Sequence, residues 1–252
     1  RAPDLAPDNV DNPEHSGEDF QRSKYMNRFK LSHTIGTLKK RADLAPLSLF
    51  LLFALIFSLA KSKDFLPHGR FWAEEGVFFY TGICSRSFPS GLLYIFNNHL
   101  ELFTNIGVYF STIPPLQYAP IVTTIYSISI WLMVFSFIFH NSESLGLKKW
   151  HIYLIFLASV GIPQSSEVWA NTINLHFVFL LLNVVILLLP APKGFLAIYS
   201  AALVFLCGLS GVPANFIAPI YIVSAILERS WRRTLQSVAI NTACLIQIFF
   251  LY

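Results

Sequence analysis

Charge is what this sequence has least of. Asp, Glu, Lys and Arg make up 13% of its 252 residues while 54% are hydrophobic, and the mean hydropathy is +0.55; a soluble chain is about 25% charged. Too few polar side chains are present to cover a water-facing globule of this length, so lipid must be part of the solvent. Cysteine is sparse too. Cys84, Cys207 and Cys244 stand far apart, which excludes a disulfide framework and a zinc pattern and leaves Cys84 as a candidate thiol against its plainer reading as a small apolar filler. Also missing are a phosphate-binding glycine loop, an HExxH pair and a GxSxG elbow. Nothing here runs on ATP, and neither a nucleotide nor a redox cofactor is expected. The formal net charge is +4, but the basic residues form short clusters between apolar runs rather than one stripe, which argues against nucleic acid as a partner.

What the chain has instead is apolar length. Runs suited to a membrane-crossing helix of about 20 residues begin with Leu44 to Ala60 and Tyr118 to Phe139. They continue as Ile152 to Ile162, Phe177 to Leu189, Phe195 to Leu209, Val212 to Leu227 and Leu235 to Tyr252. These predict an all-α integral membrane fold, a multi-pass transmembrane bundle of about seven spans. Hydrocarbon demands that each crossing segment satisfy its own backbone. The stretch around Leu102 to Pro115 is too interrupted for a span and reads as an interfacial helix in a long first outer loop.

Basic residues favour the cytoplasmic side of short loops. Arg28 to Arg41, Lys148, Lys149, Lys193, Arg229, Arg232 and Arg233 fall on one side if each run crosses once. The amino terminus is then cytoplasmic, and the loops near Glu74 and Glu167 face outward. Residues 1–25 are rich in Pro, Asp, Glu and Asn without hydrophobic period, a disorder signature. They read as a leader or a mis-called start, and 26–252 as one transmembrane domain that stops inside its seventh run.

Acidic residues gather on the outer side: Asp64, Glu74, Glu75, Glu101 and Glu167. The stretch GRFWAEEGVFFY, directly after the first run, sets Glu74 and Glu75 in an aromatic cluster suited to the headgroup zone. There burial raises a carboxyl pKa and a nearby cation lowers it. Around them His68, Arg70 and His99 could hold a phosphate, Arg70 through its bidentate fork; snorkelling toward headgroups explains the same residues. In PQSSEVWANTINLHF, a helical reading puts Glu167, Asn171 and Asn174 on one face with His176 near it. The plainer alternative is that the Asn residues cap the next helix and that His176 is an interfacial anchor.

Three stretches, FWAEEG at Phe71 to Gly76, IPPLQYAP at Ile113 to Pro120 and SSEVWANTINLHFVFLLL at Ser165 to Leu182, resemble those of bacterial multi-pass glycosyltransferases of the GT-C superfamily. The resemblance covers about Leu44 to Leu227. It implies a polyprenyl-phosphate-linked sugar as donor, a cell-envelope glycan or lipid as acceptor, membrane lipids as surroundings and the bacterial inner membrane as location. It also implies a catalytic role for the acidic pair. Such enzymes often carry Glu-Asp where this chain has Glu74-Glu75; the change keeps the charge, lengthens the second arm and leaves open which carboxylate acts. Either would take the acceptor proton, with Arg70 and His68 as phosphate partners and His99, Glu167, Asn171, Asn174 and His176 lining the substrate site. A divalent metal stays open as a cofactor. The competing expectations are a multi-pass transporter or flippase, on the Gly- and Pro-interrupted stretch from Cys207 to Tyr221, and an O-antigen polymerase or ligase.

Overall fold

The computed structural model describes residues 45–63, 69, 71, 72, 74–161 and 169–251. The chain divides into Arg1–Leu49 and Phe50–Tyr252, and the packing described here lies within the second unit.

Most described residues are helical. Helix α1 is Ala45–Lys61. A π-helical segment, Glu75–Tyr80, leads into α2, Thr81–Cys84, and α3 is Phe88–Leu92. A two-stranded antiparallel hairpin follows, β1 Ile95–Phe96 against β2 His99–Leu100. Then come α4 Leu102–Ser111 and α5 Ala119–His140, with a 3-10 turn, Leu116–Tyr118, leading into α5. The rest is α6 Lys149–Gly161, α7 Leu175–Leu188, α8 Phe195–Gly208, α9 Ala218–Glu228 and α10 Trp231–Leu251.

Each of the seven apolar runs thus carries a helix, but among the described residues Leu116–His140 alone is both long and apolar enough to cross a membrane. Local sequence accounts for the short ones. Leu189 is extended because Pro190 follows it, and this ends α7 after 14 residues. Gly211 and Pro213 split the sixth run into a 3-10 turn, Val212–Asn215, and α9. Within that break the buried Asn215 amide donates to the carbonyl oxygens of Gly208 and Gly211, so the interrupted backbone supplies its own cap.

The core between α1, α5 and α6 is aromatic. Phe50 stacks on Phe139 at 4.9 Å and meets Tyr153 edge-on at 5.1 Å, Phe135 meets Phe156 at 5.1 Å, and Trp131 lies 4.8 Å from Trp169. Outward faces are apolar as well: Leu52, Ile125, Leu154, Ile198, Ile226 and Phe249 are all exposed.

The connections collect at two ends of the bundle. At one, Lys149 sits over the Phe139 ring and Arg232 donates to the Ala191 carbonyl. Arg233, 2% exposed, donates to Glu228, Gln236 and the carbonyls of Ile186 and Leu189. These carbonyls belong to the last turn of α7, where a cation is favourable. The hairpin, the Asn171–Asn174 turn and the Gly208–Asn215 break meet at the other end.

Candidate functional site

At that second end the acidic pair divides. Glu74 is exposed, while Glu75 is 1% exposed and turned inward with Phe79. Its Oε1 accepts from the Thr172 backbone N–H at 3.0 Å and the Thr172 hydroxyl at 2.6 Å, and its Oε2 lies 3.1 Å from the Thr123 hydroxyl. The expectation that both carboxylates sit at a lipid boundary fails for Glu75, which is an interior group. Burial pushes its pKa up, outweighing the hydrogen bonds from Thr172 and Thr123. The Thr123 hydroxyl is also 3.0 Å from the Pro120 carbonyl, so its one proton is shared between two acceptors.

The second carboxylate of the site is Glu101, 4% exposed. It is placed by the hairpin, whose two-residue turn Asn97-Asn98 has positive φ at both positions, a conformation Asn tolerates. Next to the turn, His99 Nδ1 lies 3.0 Å from the Asn97 carbonyl and Nε2 lies 3.0 Å from Glu101 Oε1. Both partners accept, so the imidazolium, with two N–H donors, satisfies both contacts. The Glu101 hydrogen bond is the main cause that raises the His99 pKa, and the charge of nearby Glu74 adds to it. For Glu101, burial by itself would raise the pKa; the imidazoles of His176 and His99, with the Thr104 hydroxyl, outweigh it and hold the carboxyl low. His176 Nδ1 is 3.6 Å from the same Oε1, too far for a hydrogen bond, so this contact is electrostatic.

Thr104 and Thr172 join the two carboxylates. The Thr104 hydroxyl is 2.8 Å from Glu101 Oε2 and 2.8 Å from the Thr172 carbonyl, and Thr172 holds Glu75. Glycine makes the approach possible. A Cβ on Gly107 would lie 2.5 Å from Tyr126 and 2.8 Å from Thr172, and one on Gly211, at φ +122, would lie 2.7 Å from His176. From α10, the Gln247 side chain accepts from the Leu100 N–H at 2.9 Å and donates to the Leu100 carbonyl at 2.7 Å. This fastens the strand between His99 and Glu101.

Of the residues expected from sequence, His99 and His176 come together around Glu101, Glu74 acts on His99 through its charge, and Glu75 is linked to Glu101 through Thr172 and Thr104. Asn171 and Asn174 form a turn rather than a helical face: Asn171 Oδ1 accepts from the Asn174 N–H at 3.0 Å, just before α7, and Asn174, at the N-cap, makes no side-chain capping bond to the helix, so the turn part of the plainer reading holds and the capping part does not. His68, Arg70, Asp64 and Glu167 lie outside the described residues. Sequence reasoning left Glu101, Thr104, Thr123, Thr172 and Gln247 without roles. Gln247, alone among apolar neighbours in its run, was the readable signal, since a buried amide requires partners. Among the described residues no group of three or more His, Cys, Asp or Glu side chains could hold a metal ion; the two imidazoles here address one carboxylate oxygen. Comparison of the chain with protein-family models, with characterised protein sequences and with solved structures gives no match.

Proposed function

We propose that this chain is a multi-pass membrane glycosyltransferase of GT-C type, moving a sugar from a polyprenyl-phosphate donor to a cell-envelope glycan or lipid acceptor, with Glu74 as the general base. The observation that carries the reading is the exposed Glu74 carboxylate, near enough for its charge to act on the half-buried His99 imidazole that is bonded to buried Glu101, at the end of the bundle away from the basic loops. Glycosyl transfer needs a base and a phosphate partner. As the acceptor oxygen bonds to the anomeric carbon its proton passes to Glu74, and as the bond from that carbon to the phosphate oxygen breaks, the leaving phosphate keeps the electron pair. The phosphate partner would be Arg70, as the resemblance implies, while the His99–Glu101 pair, with both imidazole N–H groups engaged, holds the hairpin that faces Glu74. Glu75, sealed behind, fixes the position of the Thr172 turn rather than reacting.

The membrane part of the proposal rests on the outward apolar faces. A soluble monomer rarely exposes a contiguous apolar patch above a few hundred Å², and here exposed Leu, Ile and Phe recur on α1, α5, α6, α8, α9 and α10. The basic loops then favour a cytoplasmic face for their end and an outward face for the site, with the bacterial inner membrane as location.

The test is transfer itself. In liposomes holding the chain, a polyprenyl-phosphate-linked labelled hexose should lose its label to a glycan or lipid acceptor. Translocation of the intact donor across the bilayer with no label transferred would overturn the proposal and favour a flippase.

A further inference from the structure

At the end of the bundle away from the carboxylates, three cavities adjoin. The first, about 580 Å³, is lined mainly by apolar groups of α5, α7 and α8, among them Phe137, Ile186, Leu189, Leu196 and Leu203. Through Pro190 and Pro192 it meets a second, about 540 Å³. The second shares Lys193, Glu228, Ser230 and Arg232 with a third, about 500 Å³, to which Arg229 also contributes. An oily slot thus opens into a basic bowl. The bowl carries three cations against one carboxylate, Glu228, and Arg233 already engages that carboxylate at 2.9 Å from within the protein.

Two helices begin at the bowl, α8 behind Gly194 and α10 at Trp231, and neither has an acidic residue in its first turn. Their amino-terminal N–H groups add positive potential where Lys193, Arg229 and Arg232 already stand. Exposed Trp231 lines the bowl, and exposed Phe195 and Leu227 are the chain neighbours of its Gly194 and Glu228, surroundings in which a headgroup rather than a free ion would sit.

We infer that this end binds an anionic phospholipid, its phosphate among Lys193, Arg229 and Arg232 and one acyl chain in the slot lined by Ile186, Leu196 and Leu203. The site is separate from the carboxylate site and rests on the membrane reading above. The cations give selectivity for charge, and the slot distinguishes a lipid from a soluble phosphate. Basic clusters of this kind at a membrane surface recognise anionic headgroups.

The full chain, delipidated in detergent, is titrated with phosphatidylglycerol or phosphatidylcholine, and bound lipid is read by native mass spectrometry. Phosphatidylglycerol should bind more tightly. The exposed double variant Lys193→Gln/Arg229→Gln should weaken it by about fivefold per charge removed and leave phosphatidylcholine unchanged. Leu196→Trp, also at an exposed position and hence compatible with folding, should weaken both lipids by crowding the slot, and glycerol 3-phosphate should fail to compete at lipid concentrations. Equal binding of the two lipids, an unchanged double variant, or displacement by glycerol 3-phosphate as effective as by lipid would each overturn the inference. Release of the wild-type chain from membranes by carbonate would instead overturn the membrane reading, a result independent of lipid selectivity in detergent.

Discussion

Thr172 offers Glu75 both its backbone N–H and its hydroxyl, at 3.0 and 2.6 Å from a single carboxylate oxygen, across 97 residues of sequence. The same residue accepts from Thr104 through its carbonyl, so one threonine ties the segment after α1 to the turn before α7 and to α4. Glu75 is therefore a fastening in this account, and its chemistry follows from being buried rather than from meeting substrate.

Glu75→Gln should be neutral to slightly stabilising at pH 7. The amide oxygen keeps both Thr172 bonds, and its NH₂ donates to Thr123, which then donates to Pro120. Because burial raises the Glu75 pKa, the wild-type side chain contributes most to stability below its ordinary carboxylate range, and that contribution falls as pH rises through the raised value. The Gln variant should lose this part of the pH dependence in thermal unfolding. Glu75→Ala should instead cost about 1–3 kcal/mol for the stranded Thr172 donors. A destabilised Gln variant alongside a tolerated Ala variant would contradict the assignment.

The His99–Glu101 pair predicts a stability window. His99 has a raised pKa, so its contribution is full below the ordinary imidazole value and is lost as pH rises through the raised one. Glu101 has a lowered pKa, so its contribution is full above the ordinary carboxylate value and is lost as pH falls through the lowered one. Unfolding temperature should be highest between the two, and His99→Gln should remove the alkaline decline. An unaltered alkaline limb in that variant would show that another group causes it.

Arg233 should matter to folding more than the other basic residues. It is buried and donates to two carbonyls of α7 as well as to Glu228 and Gln236. Arg233→Met should lower stability by about 1–3 kcal/mol, the partly exposed Glu228 being able to rehydrate, whereas Lys193→Gln at an exposed position should leave unfolding unchanged. Equal unfolding temperatures for Arg233→Met and wild type would argue against this fastening.

The helices were readable because apolar run length and helix share one cause: among the described residues each of the seven apolar runs carries a helix. Lengths were less readable, since Pro190 and the Gly211–Pro213 break act on backbone geometry that hydropathy does not report. At the site, helical spacing pairs Glu75 with Phe79 and Glu74 with Phe78, but which of the two faces turns inward is decided by the contacts with Thr123 and Thr172 that spacing does not report. Thr104, Thr123 and Thr172 carry no motif. Their roles arise from contacts over 48, 68 and 97 residues, which spacing cannot reveal. Asn171 and Asn174 were legible in their plainer role, as a turn ahead of α7.

The most direct measurement of the central claim compares Glu74→Gln with Glu75→Gln in transfer from a polyprenyl-phosphate-linked sugar, each variant first shown to be membrane-inserted and folded. Loss of a general base costs about 100-fold to 10,000-fold in rate, so the Glu74 variant should fall by that factor. The Glu75 variant should keep activity close to wild type, as should Glu143→Gln, an exposed control on the loop between α5 and α6. Wild-type transfer by the Glu74 variant, or a loss confined to the Glu75 variant, would contradict the account.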